Sequence, residues 1–220
     1  MLPVRGEGGE RVLWAPWIRW QCQGTELCLR VIGVEPIALP EPEPSEPPEG
    51  AIARIAAALA GTGAQIVLMN PGVAFGTARI GFCAGARLFA VETEADLACW
   101  DALLALGQPV YGLRGTVVAD VLSPHPASVL SSLAYGQFVC EDGLRISHLS
   151  EDRIGAVLEV ERESQLCAVI RGGFETGGVT GTRLAWVDQG SEGSVRLVAR
   201  AGEAMALTQP RFVAPRGKHA

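Results

Sequence analysis

Between Thr93 and Gly136 the sequence is punctuated so closely that it admits one order of elements. Thr93 is placed to accept from the backbone near Asp96, whose carboxylate lies in the positive first turn of a helix. Leu97, Trp100 and Leu104 then recur at helical spacing as an apolar stripe. Gly107 and Pro109 stop that helix, because glycine tolerates the left-handed C-cap and proline cannot continue the ladder. Val110 to Leu113 reads as a strand, and after Gly115 the run Thr116 to Leu122 reads as another. Ser123-Pro124 opens a second helix whose Val129, Leu130 and Leu133 face inward until Gly136. The order is strand, helix, strand, strand, helix.

Upstream, Ala51 to Ala60 is expected as a helix with Ile52, Ile55 and Leu59 inward, leading into the apolar run Ala64 to Pro71. The segment Glu35 to Gly50 holds six of the fourteen prolines and five glutamates, which predicts an extended surface linker. From about Gln137 the character changes. Gly155–Glu161, Leu166–Arg171, Thr182–Asp188, Ser194–Arg200 and Ala204–Val213 are short β-rich runs divided by glycine and charged turns. Val195, Leu197 and Ala199 alternate with Arg196, Val198 and Arg200, as in a strand with one buried and one mostly solvated face. The glycines at 172, 173, 177, 178 and 181 fit turns, since no phosphate-loop lysine follows them. The expected organisation is an α/β domain over 1–135, with 35–50 as its linker, then an antiparallel β domain over 136–213 and a frayed tail over 214–220.

The formal charge of -6 and a pI near 5.2 disfavour a sequence-independent nucleic-acid binder, which needs a basic face. No apolar run reaches the length of a membrane span and no signal-peptide pattern opens the chain, so a cytoplasmic protein without a membrane span is expected. Cys22, Cys28, Cys83, Cys99, Cys140 and Cys167 show no CxxC pair, so buried free thiols are expected rather than structural zinc.

The wording WDALLALGQPVYGLRG, the LSP before a short helix and the AYGQF after it resemble the PHP (polymerase and histidinol phosphatase) family of metal-dependent phosphoesterases. AQIVLMNP stands where that family has a strand ending in alanine-histidine-proline. SVRLVAR and LTQPRFV are similar to the closing strands of the small β domain that many members carry. The resemblance runs from about Val12 onward and implies a partial PHP-like (β/α) barrel followed by the small antiparallel β domain. It implies a two- or three-metal site only where the family's ligands are present, and at several positions the chain departs from them. Its beginning corresponds to about the family's third strand, without the first His-any-His motif. Arg19 in APWIRW stands where the family has a glutamate, and Asn70 where it has a histidine. Gly115 runs straight into Thr116, where the family's loop carries an aspartate and a histidine. His125, His148 and His219 share no predicted face; Glu92 and Asp120 are better candidates for leftover carboxylates near the family's site, but they read more simply as a helix-entry charge and a turn residue, and two carboxylates do not complete a metal site.

No catalytic residue, metal site or cofactor is therefore expected. A barrel lacking its first elements exposes an edge and an apolar face. Trp14, Trp17 and Trp20 are candidates either to fold over that gap as core or to meet another chain, a protein partner or a second copy. Three functions follow. The first is a catalytically inactive assembly or interaction subunit. The second is a metal-free anion-binding module using Arg19, Asn70, Arg79 and Arg114, because guanidinium groups suit phosphate. The third is a phosphoesterase completed by a partner chain.

Overall fold

A computed structural model of the 220-residue chain describes residues 2–6, 9–13, 15–41, 43–79, 85–119, 125–190 and 193–213. The elements in order are β1 (Leu2–Gly6), β2 (Gly9–Leu13), β3 (Trp17–Cys22), β4 (Thr25–Ile32), α1 (Pro48–Ala58), β5 (Gln65–Leu68), the single turns α2 (Pro71–Ala74) and α3 (Gly76–Arg79), β6 (Leu88–Ala90), α4 (Glu94–Ala105), β7 (Tyr111–Leu113), β8 (Thr116–Ala119) and α5 (Pro126–Tyr135). Strands then dominate: β9 (Phe138–Asp142), β10 (Ile146–Glu151), β11 (Gly155–Ile170), β12 (Phe174–Val187), β13 (Ser194–Ala201), β14 (Ala204–Thr208) and β15 (Arg211–Phe212). The fold is mixed α/β and mostly sheet.

Five strands form one sheet in the order β3-β4-β5-β6-β7, antiparallel up to β5 and parallel across β5, β6 and β7. Helices α1, α4 and α5 bury Ile52, Ile55, Trp100, Leu103, Val129 and Leu133 in one core with Leu29, Leu68 and Leu88 of that sheet. The second sheet has ten strands, β10-β11-β13-β14-β9-β8-β1-β2, with β12 along β11 and β15 on β13, and the fold includes a sheet curled as half a barrel. The chain crosses between the sheets at Gly115, ahead of the change in composition near Gln137, because β8 pairs antiparallel with β9 and parallel with β1. Gly115 has φ of +59°, and a Cβ there would lie 2.5 Å from the Glu141 carbonyl oxygen, so both conformation and space require glycine.

The helix signals around Thr93 and Gly136 appear as read. The Thr93 hydroxyl accepts from Asp96 N at 3.2 Å, and the Asp96 carboxylate accepts from Thr93 N at 3.0 Å, closing a capping box. Gly136 ends α5 in the left-handed region. Two helix starts differ from expectation. α1 begins at Pro48 inside the expected linker, since proline at a first helical position gives up no ladder bond. In α5 the first helical residue is Pro126, with His125 Nδ1 accepting from Ala127 N at 3.3 Å; Ser123, Pro124 and Asp120 lie outside the described residues.

The linker is tied down. Gln23 donates its backbone N–H to the Pro44 carbonyl, Arg54 bridges Glu46 at 2.6 Å, and Ile37 and Leu39 pack on the core. The expected one-sided burial of Ser194–Arg200 does not hold, because β13 is covered on both faces. Val195, Leu197 and Ala199 enter a second core with Leu158, Leu166 and Leu184, while Val198 joins the first core and Arg196 lies over Trp100 of α4.

Candidate functional site

The parallel strands β5, β6 and β7 end on one side of their sheet, and Asn70, Glu92 and Arg114 follow those ends. Ligands in open α/β sheets commonly bind outside such carboxyl ends, but Asn70 is committed elsewhere. Its Oδ1 accepts from Cys28 N at 3.0 Å and its Nδ2 donates to Glu26 O at 3.0 Å, so the amide extends the β4–β5 pairing by one residue. Arg19 is exposed on β3, opposite Cys28, and thus neighbours Asn70 across that same residue. Arg114 lies at the other end of the sheet, four strand positions from β3, about 19 Å away at normal spacing. Its Nε donates to Asp142 at 2.9 Å and its Nη1 to the Val91 carbonyl at 3.2 Å. The backbone of Arg79 ends α3, and its side chain lies outside what the structure describes, as does Trp14.

The two described tryptophans of the N-terminal run have different environments. Trp20 is buried in the first core, with the Arg54 guanidinium 5.5 Å from its ring. Trp17 is 52% exposed, and Arg30 stacks on it at 4.6 Å.

A cleft of about 890 Å³ opens between α4 and the ten-stranded sheet, and Arg114, Arg196 and Arg200 line it with Asp101 and Glu175. Each arginine already faces a carboxylate: Arg114 faces Asp142, Arg196 faces Asp101 at 2.5 Å, and Arg200 faces Glu175 at 2.6 Å. The Arg196–Asp101 pair is buried against the Trp100 face, with the guanidinium 4.3 Å from the ring. That pair ties β13 to α4 and so fixes one sheet against the other. A second cavity of about 710 Å³ lies beside Tyr135, Phe138, Leu149, Glu151 and Arg211, where burial pushes the Glu151 carboxyl up despite the nearby Arg211.

The described cysteines 22, 28, 99, 140 and 167 are buried and free. Burial pushes the Cys140 thiol up to about 12. Burial and then the Glu26 carboxylate push Cys28 up as well, and a raised thiol is a poor nucleophile. Among the described residues, no three His, Cys, Asp or Glu side chains are grouped to hold a metal ion.

Three features went unread in the sequence. Gln209, 5% exposed, places its amide against the free edge of β7: Nε2 donates to Gly112 O at 2.9 Å and Oε1 accepts from Gly112 N at 2.9 Å. The Asp101–Arg196 pair is the second. The third is the outer edge of β12, a 14-residue strand whose residues are mostly exposed and which pairs only with β11 among the described strands. Its uncharged span Thr176–Thr182 is visible in the sequence as a gap between Glu175 and Arg183. The chain matches no family model, no curated protein and no solved structure.

Proposed function

We propose that this chain is an assembly or interaction subunit built on a PHP-like frame, with its binding carried by a sheet edge and no hydrolysis of its own. The observation that carries this reading is the outer edge of β12. Exposed edges are normally blunted by short length, charge, proline or bulges, and of these β12 shows only the last, two register irregularities against β11. β12 is long, carries no charge or proline from Thr176 to Thr182, and exposes Phe174, Val179 and Val187. The PHP-like part rests on the sequence resemblance, and helix-backed parallel strands β5, β6 and β7 are compatible with a fragment of such a barrel. The use of Asn70 to stitch β5 to β4 supports loss of the family's chemistry at that position, since both ends of its amide serve the fold.

The test is sedimentation equilibrium of the purified chain across a hundredfold concentration range, paired with a phosphoesterase assay in manganese. The proposal expects association and no turnover. Turnover by a protein that stays monomeric overturns it. A second reading, a metal-free anion-binding module, draws on the three arginines around the cleft. Their existing carboxylate partners make it the weaker of the two, and titration with inorganic phosphate tests it directly. A phosphoesterase completed by a partner chain predicts turnover only in a mixture.

A further inference from the structure

Building on the assembly reading, we infer that the partner of β12 is β12 of a second copy, paired antiparallel about a two-fold axis at Val179. A two-fold interface must be self-complementary, and this strand is. Centred on Val179, the sequence Glu-Thr-Gly-Gly-Val-Thr-Gly-Thr-Arg over 175–183 sets Glu175 opposite Arg183 of the second copy at both ends. Thr176 then meets Thr182, Gly177 meets Gly181, and Gly178 meets Thr180.

The faces of β12 permit that pairing. Its pairing with β11 shifts register twice, once between Thr176 and Val179, where β12 carries the extra residue, and once between Gly181 and Arg183, where the extra residues lie on β11. Glu175 lies opposite Val169, which points into the first core, and Arg183 lies opposite Glu159, whose neighbour Leu158 points into the second. Both charges are thus on the sheet face away from the second core. Residues directly opposite in an antiparallel pair share a face, as the Glu175–Arg183 pairing requires.

The glycines leave that edge unobstructed. Glycine inside a strand costs stability, and it is retained where φ is positive, where space is short or where another backbone comes close. Gly178 and Gly181 have no positive φ, and a Cβ on either would meet nothing within 4 Å. The edge at both positions is therefore open to an incoming strand, while Gly177, with φ of +63°, marks the irregularity in β12 itself. Pairing by one edge buries little area, so a dissociation constant on the order of micromolar is expected.

The test uses the full chain and two exposed substitutions, Glu175→Arg and Arg183→Glu. Each gives up an exposed bridge within its own chain, Glu175 to Arg200 and Arg183 to Glu159. Each also turns both intermolecular pairs into like charges, weakening the dimer about tenfold or more. In a mixture of the two variants, one copy of each sets an acidic side chain against a basic one at both ends of the seam, so the mixture regains the dimer that neither forms alone. Sedimentation velocity reads the outcome, circular dichroism confirms the fold, and Val179→Lys, which sets two lysines together at the axis, is a second disrupting variant. A wild-type dimer, lost in each variant and restored in the mixture, is the expected result. A dimer indifferent to all three substitutions overturns this seam while leaving an assembly subunit with another interface. A monomeric wild type overturns the seam, and a monomer that also turns over phosphate esters overturns the assembly reading with it.

Discussion

Replacing Gln209 with methionine keeps the volume of the side chain and deletes its two hydrogen bonds to Gly112. The Gly112 N–H then has no replacement acceptor among the described strands, because β7 is the last of them in its sheet and Gln209 fills the place of a further one. The Gly112 carbonyl keeps the Cys140 thiol as a donor at 3.4 Å, so the loss falls mainly on the N–H. An orphaned buried donor costs about 1–3 kcal/mol, and the lost bond to the carbonyl adds about 1 kcal/mol, giving a destabilisation of about 3 kcal/mol. For a chain of this size that corresponds to a melting temperature lower by about 6 to 12 °C. Thermal unfolding followed by circular dichroism, with guanidinium titration for the free energy, measures it. A loss below about 1 kcal/mol refutes the reasoning, because Gly112 must then have another partner or be reached by water. Gln209→Glu at neutral pH should be worse, since a carboxylate cannot donate to the Gly112 carbonyl and brings a charge into a buried site.

Three further outcomes are expected. Asp101→Ala strands the buried Arg196 guanidinium and should cost about 3–5 kcal/mol, with much of it regained in Asp101→Leu combined with Arg196→Met, by denaturant titration. Cys140, held protonated up to about 12 by burial, should resist iodoacetamide in the native protein at pH 8 and react only on unfolding, as read by intact mass. Since an unfolded thiol ionises near 9, the unfolded state loses that proton first, so Cys140 should lower stability as pH rises from about 9 to 12. Asn70→Ala should cost about 1–3 kcal/mol through the orphaned Cys28 N–H, and Asn70→His, which cannot make both amide bonds, should lose stability without gaining manganese affinity by calorimetry.

The parts that could be read from sequence are those whose signals are local. The Thr93–Asp96 capping box, the αL stop at Gly136 and the inward faces of α1 and α5 depend on residues within a turn or two of one another. What escaped depends on distant strands. Ser194–Arg200 shows a clean alternation, yet both of its faces are buried, because α4 covers the side that Arg196 occupies and the arginine is made tolerable there by Asp101 and Trp100. Gln209 is one polar residue after a strand, and its role exists only because β7 ends beside it, 97 residues earlier in the chain. The runs Gly155–Glu161 and Leu166–Arg171 are read as two strands because of the charged stretch between them, where β11 in fact continues through a register irregularity. Arg19 and Asn70 flank Cys28 from the two strands on either side of β4, but Arg114 lies across the sheet, a separation that only strand order reveals.

Association through the edge of β12, as proposed, has a direct readout. A native mass spectrum of the wild-type chain after incubation with manganese and zinc tests it most directly, since one spectrum reads both assembly and bound metal. The expected spectrum shows a dimer without stoichiometric metal, growing with protein concentration and absent in Glu175→Arg. A monomer carrying two or more stoichiometric metal ions would contradict it.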